Sequence, residues 1–303
     1  MPTTTYSQMQ FEVFPRDAET KRAVAANFDH KPFVFHHSLQ DLEIFQLPSL
    51  LALAEKAMRK HNRSHHEAGD VAVDGYFGAP PQGVSIVDAL KEIENGNNWV
   101  ILKRIHEEPE YREVLVQFIE ELSELTSIDI RSEYYDPITT VFITSPDRIV
   151  PYHMDGEANF LAQVRGSKHV YLYDGNDRTI LSDEDLERYW MGHFNAAKYR
   201  EDLPEGSWSF QIFPGTGVFN PAAFPHWVKN GHEVSVSVSL NVKRRRNPTL
   251  SAYRANYCMR AVGLQPTPPG RSKRLDTFKD IAFGKAYNAA RNARRFLRNR
   301  FGI

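Results

Sequence analysis

The chain has a single cysteine, Cys258, among 303 residues, so it forms no intrachain disulfide and builds no thiolate-rich metal centre. A reducing compartment is the expectation. No apolar run approaches the roughly 18 residues that a membrane-spanning helix needs. The N-terminus, Met1-Pro2-Thr3-Thr4-Thr5-Tyr6, shows no basic segment followed by an apolar stretch. These absences point to a cytoplasmic protein, at most peripheral at the inner face of a membrane. Internal repeats and low-complexity tracts are missing too, and no Ser-His-Asp or paired-carboxylate signature has supporting context.

What is present suits a packed globular protein, with 12% aromatic residues to fill a core. Net charge is only −1, but residues 243–303 carry 16 Lys+Arg against Asp276 and Asp280, leaving about −15 on residues 1–242 and +14 on the tail. Such a split implies either that the tail packs back within the molecule or a dimer, or that it meets an anionic partner.

Three regions follow from the patterning. Residues 1–138 read as a mixed α/β scaffold: a helix over 47–60, a polar loop at His61-Asn62-Arg63-Ser64-His65-His66-Glu67, a short helix over 84–93, a strand at 99–102 and a helix over 110–125 with Tyr111, Val114, Leu115, Phe118, Ile119 and Leu122 on one stripe. The histidines of that loop are a weak second metal candidate. Residues 139–247 change to short β runs, at 140–144, 160–164, 169–173, 209–213, 218–219 and 233–242, separated by turns such as Arg165-Gly166-Ser167, which argues for a closed or two-sheet β structure. An insertion at 174–208, opening with the helix cap Ser182-Asp183-Glu184-Asp185, is placed to shape the entrance of such a barrel. Residues 248–303 form a basic helical extension.

The segment Pro151-Tyr152-His153-Met154-Asp155 and the later Phe224-Pro225-His226-Trp227 carry the chemistry. On an extended backbone His153 and Asp155, two residues apart, point the same way. His226 precedes the period-two run Val234-Ser235-Val236-Ser237-Val238-Ser239-Leu240, where a barrel rim would bring it alongside. Two imidazoles and one carboxylate on one face of a metal leave the opposite positions free, which is what non-haem Fe(II) oxygenases require.

The run His153-Met154-Asp155-Gly156-Glu157-Ala158-Asn159-Phe160-Leu161-Ala162-Gln163-Val164-Arg165-Gly166-Ser167-Lys168, resumed at Phe213-Pro214-Gly215 and from His226 to Asn241, resembles the jumonji-type, cupin-like Fe(II)/2-oxoglutarate-dependent oxygenases. The resemblance covers roughly 139–245. It implies a mainly β double-stranded β-helix of the jelly-roll type with flanking helices at both ends, in which His153, Asp155 and His226 hold iron. Lys168 matches the lysine that pairs with the far carboxylate of 2-oxoglutarate, and Asn159 and Asn241 match amides near that co-substrate. The implied reaction couples O₂ and oxidative decarboxylation of 2-oxoglutarate to hydroxylation of a C–H bond. One departure stands out: where the asparaginyl-hydroxylase branch has a co-substrate threonine, this chain has Val150. The hydroxyl would come from Thr140, or from Thr144, Tyr135 or Tyr171.

The substrate is not legible: a protein side chain or a small molecule, with an anionic saccharide or lipid at a membrane surface as a further class. A non-catalytic metal-binding cupin acting through its tail is the alternative from another class. For the tail, apolar Phe278, Ile281, Ala282, Ala289, Ala293, Phe296, Leu297 and Phe301 fall near one helical face and Arg291, Arg294, Arg295 and Arg298 on another. The expectation is a homodimer through these C-terminal helices, with an anionic surface as the competing partner. Nucleic acid is not expected, since no aromatic stacking platform accompanies the arginines.

Overall fold

The chain runs through α1 (Ala18–Asn27), β1 (Phe33–His36), α2 (Leu47–Met58), β2 (Ser64–Ala68), α3 (Ile86–Lys91), β3 (Asn98–Leu102), α4 (Pro109–Thr126), α5 (Ile130–Glu133), β4 (Tyr134–Thr144), β5 (Ile149–His153), β6 (Ala158–Arg165), β7 (Lys168–Leu172), α6 (Asp183–Trp190), β8 (Trp208–Ile212), β9 (Thr216–Asn220), β10 (His226–Asn230), β11 (Ser235–Arg244), α7 (Pro248–Ala261) and α8 (Lys273–Lys279). This is a computed structural model that describes residues 11–15, 17–60, 63–78, 80–203, 206–245, 247–284, 287 and 289. It divides into two compact units. One comprises Met1–Asp174 and Tyr199–Arg245, the other Gly175–Lys198 and Arg246–Ile303.

The first unit is built on two antiparallel sheets, a seven-stranded one in the order β1-β9-β6-β11-β4-β3-β2 and a four-stranded one in the order β5-β10-β7-β8. Strands β4 to β11 supply four neighbours to each sheet, which is the jelly-roll arrangement; β1, β2 and β3 extend the larger sheet at its edges. The period-two run in β11 sets the two faces. Val236, Val238, Leu240 and Val242 turn outward to the helices, whereas Ser235, Ser237 and Ser239 turn toward the opposite sheet and are fully buried. The usual order of apolar in and polar out is therefore inverted: helices cover the apolar face and the polar face lines the interior.

The outer face is held by aromatic packing. Phe160 of β6 lies 4.7–6.2 Å, centroid to centroid, from Phe14, Phe28, Phe33, Phe35, Phe118 and Phe219. Its ring is fully buried. Phe160→Ala is expected to lower the free energy of unfolding by about 3–5 kcal/mol. A denaturant titration showing a loss below about 1 kcal/mol would contradict this packing role. Between the sheets a second cluster joins Trp99, Ile101, Leu161 and Val218 to Val150, Val170, Leu172, Ile212 and Val228.

Several elements depart from the sequence reading. Residues 64–68 form strand β2 rather than a loop, paired along β3 from Ser64↔Leu102 to Ala68↔Asn98. Their polar composition hides real burial: Glu67 is buried, accepts a hydrogen bond from Gly78 N–H at 2.9 Å and lies 3.7 Å from the Arg148 guanidinium. His61 lies outside the described residues. Strand β4 begins at Tyr134, before the run read at 140–144. In the second unit α6 has the expected Ser182 cap, its hydroxyl accepting from Asp185 N–H, and α6 packs with α7 through Arg260, whose Nε donates to Glu187 at 2.8 Å. The expected tail helix over 278–301 lies for the most part outside the described residues, and its expected dimer contacts Phe296, Leu297 and Phe301 lie wholly outside them. Among the described residues no helix is long and apolar enough to cross a membrane.

Candidate metal and co-substrate site

His153 ends β5 and His226 opens β10, and the two are direct cross-strand partners with ring centroids 4.2 Å apart. Asp155 is not on a strand, as β5 stops at His153. A loop contact places it instead: Ala223, in the left-handed region at φ +63°, donates its N–H to the Asp155 carbonyl at 2.7 Å. The donor atoms of His153, Asp155 and His226 all lie within 4.8 Å of one another, with His226 Nε2 3.8 Å from Asp155 Oδ2. Among the described residues no other group of this kind brings three such side chains together.

Backbone carbonyls fix which nitrogen each ring presents. His153 Nδ1 is 2.7 Å from Pro151 O, and His226 Nδ1 is 3.1 Å from Phe224 O. An Nδ1–H donated to a carbonyl leaves Nε2 with a free lone pair. The Asn220 carboxamide lies against the same edge of the ring, its Nδ2 3.1 Å from His226 Nδ1, and its oxygen has no partner. Burial, then the neighbouring His153, hold the His226 pKa well below its ordinary value, so the ring is neutral, the form a metal accepts.

Deeper between the sheets lies Lys168. The turn at Gly166, with φ +66° and a Cβ position only 2.7 Å from Val234 O, forces the chain into β7 with Lys168, Val170 and Leu172 facing inward. Lys168 is 3% exposed, and burial alone pulls its pKa down to about 7. Its cross-strand partner Asn230 is 2% exposed with both amide atoms unpaired. No carboxylate among the described residues pairs with this ammonium. A buried cation beside an unsatisfied amide is costly unless an anion joins them.

The interior wall of the larger sheet carries an asparagine row. Asn159 sits opposite Asn220 on one side and Asn241 on the other, and Ser239 Oγ is 2.9 Å from Asn159 Oδ1 and 2.6 Å from Asn241 Oδ1. Of the four hydroxyl candidates, Thr140, opposite Ser239, and Thr144, opposite Ser235, face inward and are buried. The Thr144 hydroxyl has no partner. Tyr135 is exposed, and Tyr171 stacks on Trp227 at 3.9 Å on the outward face of the smaller sheet, so neither is brought to the site. Val150 lies in the apolar wall opposite Val228.

Sequence reasoning missed Asn220, Asn230 and the strap 73–78. The strap is tied at both ends: Tyr152 N–H donates to Val73 O at 2.8 Å and Gly78 N–H to Glu67. Between them Phe77 stacks on Trp99 at 5.5 Å and sets its edge against His153 at 5.0 Å. An aromatic pair between two glycines, Gly75-Tyr76-Phe77-Gly78, was the available signal.

No family model matches the sequence, and no curated protein matches it. Solved structures do. The X-ray structure of ycfD from E. coli matches at 13% identity and a TM-score of 0.53, covering 92% of this chain and 69% of that one. This chain has the jelly-roll fold of that protein. A further crystal structure, of the Escherichia coli ribosomal oxygenase YcfD, aligns at 13% identity, TM-score 0.51, over 92% of this chain and 68% of that one. The jelly-roll core expected from the sequence is thus present in both the topology and the structural neighbours.

Proposed function

We propose that this protein is an Fe(II)- and 2-oxoglutarate-dependent oxygenase that hydroxylates a C–H bond. The observation that carries the reading is the pairing of two features in one interior: a cluster of two imidazoles and one carboxylate, and a buried lysine with no counter-ion beside an unsatisfied amide. The donor set fits Fe(II), because His153, Asp155 and His226 would supply two nitrogen ligands and one oxygen ligand, a set this ion accepts. The lysine fits a dicarboxylate, which would bring the missing negative charge.

When bound, iron and 2-oxoglutarate supply the oxidation of the substrate C–H bond with O₂. The chain's own residues do the rest. His153 and His226 are held in one tautomer by Pro151 O and Phe224 O, and Lys168 anchors the far carboxylate. Asn159 and Asn241 with Ser239, and a hydroxyl from Thr140 or Thr144, offer polar contacts along the interior wall. Val150, Val170, Leu172 and Val228 exclude water around them. The substrate side is the one on which Asp155 and Phe77 remain partly exposed.

The substrate classes are a protein side chain, a small molecule, or an anionic saccharide or lipid. YcfD is described as a ribosomal oxygenase, so a protein side chain is the first class to assay here. The competing non-catalytic cupin has no use for a buried, unpaired Lys168. Conversion of 2-oxoglutarate to succinate, followed by NMR, tests the reading: it is expected to depend on Fe(II) and O₂ and to vanish in Asp155→Ala. Absence of any metal-dependent conversion, with or without candidate peptides, would contradict it.

A further inference from the structure

The polarity of α8 and the helical turn after it is inverted. Charged Asp276 and Lys279 point inward, Asp276 accepting from Gly270 N–H at 2.8 Å and Lys279 Nζ donating to Asn256 Oδ1 at 2.6 Å and Thr267 O at 2.9 Å. Both residues are buried. The outward side, at three-residue spacing, holds Leu275, Phe278 and Ile281, which are 44%, 65% and 55% exposed. Exposed Arg271, Lys273 and Arg274 flank this stripe. A helix resting in water turns its apolar stripe inward and its charges out. Here the charges are satisfied by hydrogen bonds inside and the apolar side is left facing away from its own unit.

We propose that this face docks on an anionic phospholipid bilayer, with Leu275, Phe278 and Ile281 entering the headgroup boundary and Arg271, Lys273 and Arg274 meeting lipid phosphates. Charge complementarity selects this occupant: within residues 271–284 the exposed charges, Arg271, Lys273 and Arg274, are all basic, while Asp276 and Lys279 are buried and Asp280 is half-buried. A symmetric dimer through the same face gathers two sets of Arg271, Lys273 and Arg274 into one interface with no exposed acidic partner among residues 271–284, and like charges repel there. Nucleic acid would use the cations but gives Leu275 and Ile281 nothing to bury. The inference stands apart from the oxygenase reading, since it uses no residue of the interior site.

The test is co-sedimentation of the full chain with vesicles of phosphatidylcholine alone and of phosphatidylcholine with phosphatidylglycerol. Binding is expected only to the anionic vesicles, weakening as salt rises. Phe278→Ser/Ile281→Ser and, separately, Lys273→Glu/Arg274→Glu should each reduce partitioning by roughly tenfold or more. These side chains are exposed, so circular dichroism of the variants should match the parent. Equal binding to both vesicle types, or no binding, overturns the proposal. So does light scattering that shows a dimer dissociated by the serine pair, which would assign the face to a second copy. Binding of single-stranded RNA that survives the serine pair, without vesicle binding, likewise overturns it.

Discussion

Replacing His226 with alanine is expected to remove the bound divalent metal and, with it, all conversion of 2-oxoglutarate. His226 is one of three donors gathered within 4.8 Å, and neither Asn220 nor Phe224 behind it offers a replacement ligand on the metal side. Losing an outer partner of a metal ligand typically costs about 10–100-fold in affinity, so losing the ligand itself should exceed that. Elemental analysis after dialysis against Fe(II) or Mn(II) reads the result directly. Near-stoichiometric metal in a folded His226→Ala protein would remove this residue from the site. Asn220→Ala should show the milder outer-partner effect, because it touches only Nδ1.

Lys168→Ala is expected to weaken 2-oxoglutarate binding by roughly 10–150-fold while leaving metal content unchanged, the equivalent of losing a charge-assisted contact of about 1.5–3 kcal/mol. The depressed pKa adds a signature. With Lys168 at about 7 in the free protein, binding a dicarboxylate restores the charge and takes up a proton above that pH. Affinity should therefore fall as pH rises above about 7, by up to roughly tenfold per unit. Calorimetry in buffers of different ionisation enthalpy measures that uptake. The stability sign is the reverse: the unfolded chain holds more protons on this lysine between about 7 and 10.5, so the unliganded fold gains stability as pH climbs through that window. A pH-independent affinity with no proton uptake would place the carboxylate elsewhere.

Much of the site was legible because its parts lie on alternating strands. The β11 strand follows from its period-two serine run and the turn before Lys168 from Gly166, although the serines face the interior while the valines meet helices. The strands that carry the ligands were harder. Pro151 sits inside β5, and a proline inside a run argues against a strand; it is tolerated because β5 is the edge of the smaller sheet. Strand β10 is five residues with Lys229 in it and shows its inward face only as His226, Val228 and Asn230. Residues 64–67 read as a solvated loop because Glu67 is charged, and its burial depends on Arg148 and Gly78, which are distant in sequence. Phe77, marked in the sequence only by its aromatic pair between two glycines, shows its role for the same reason only in the fold: its contacts with Trp99 and His153 exist once the strap is tied to Tyr152. The tool for finding such residues is topology, since periodicity describes one element at a time.

The measurement that bears most directly on the central claim is an anaerobic titration of 2-oxoglutarate into the protein with and without Mn(II). A single site built from His153, Asp155 and His226 at one end and Lys168 at the other predicts one equivalent of 2-oxoglutarate, bound far more tightly with the metal than without it. Equal binding in both titrations, or none with the metal present, would contradict it.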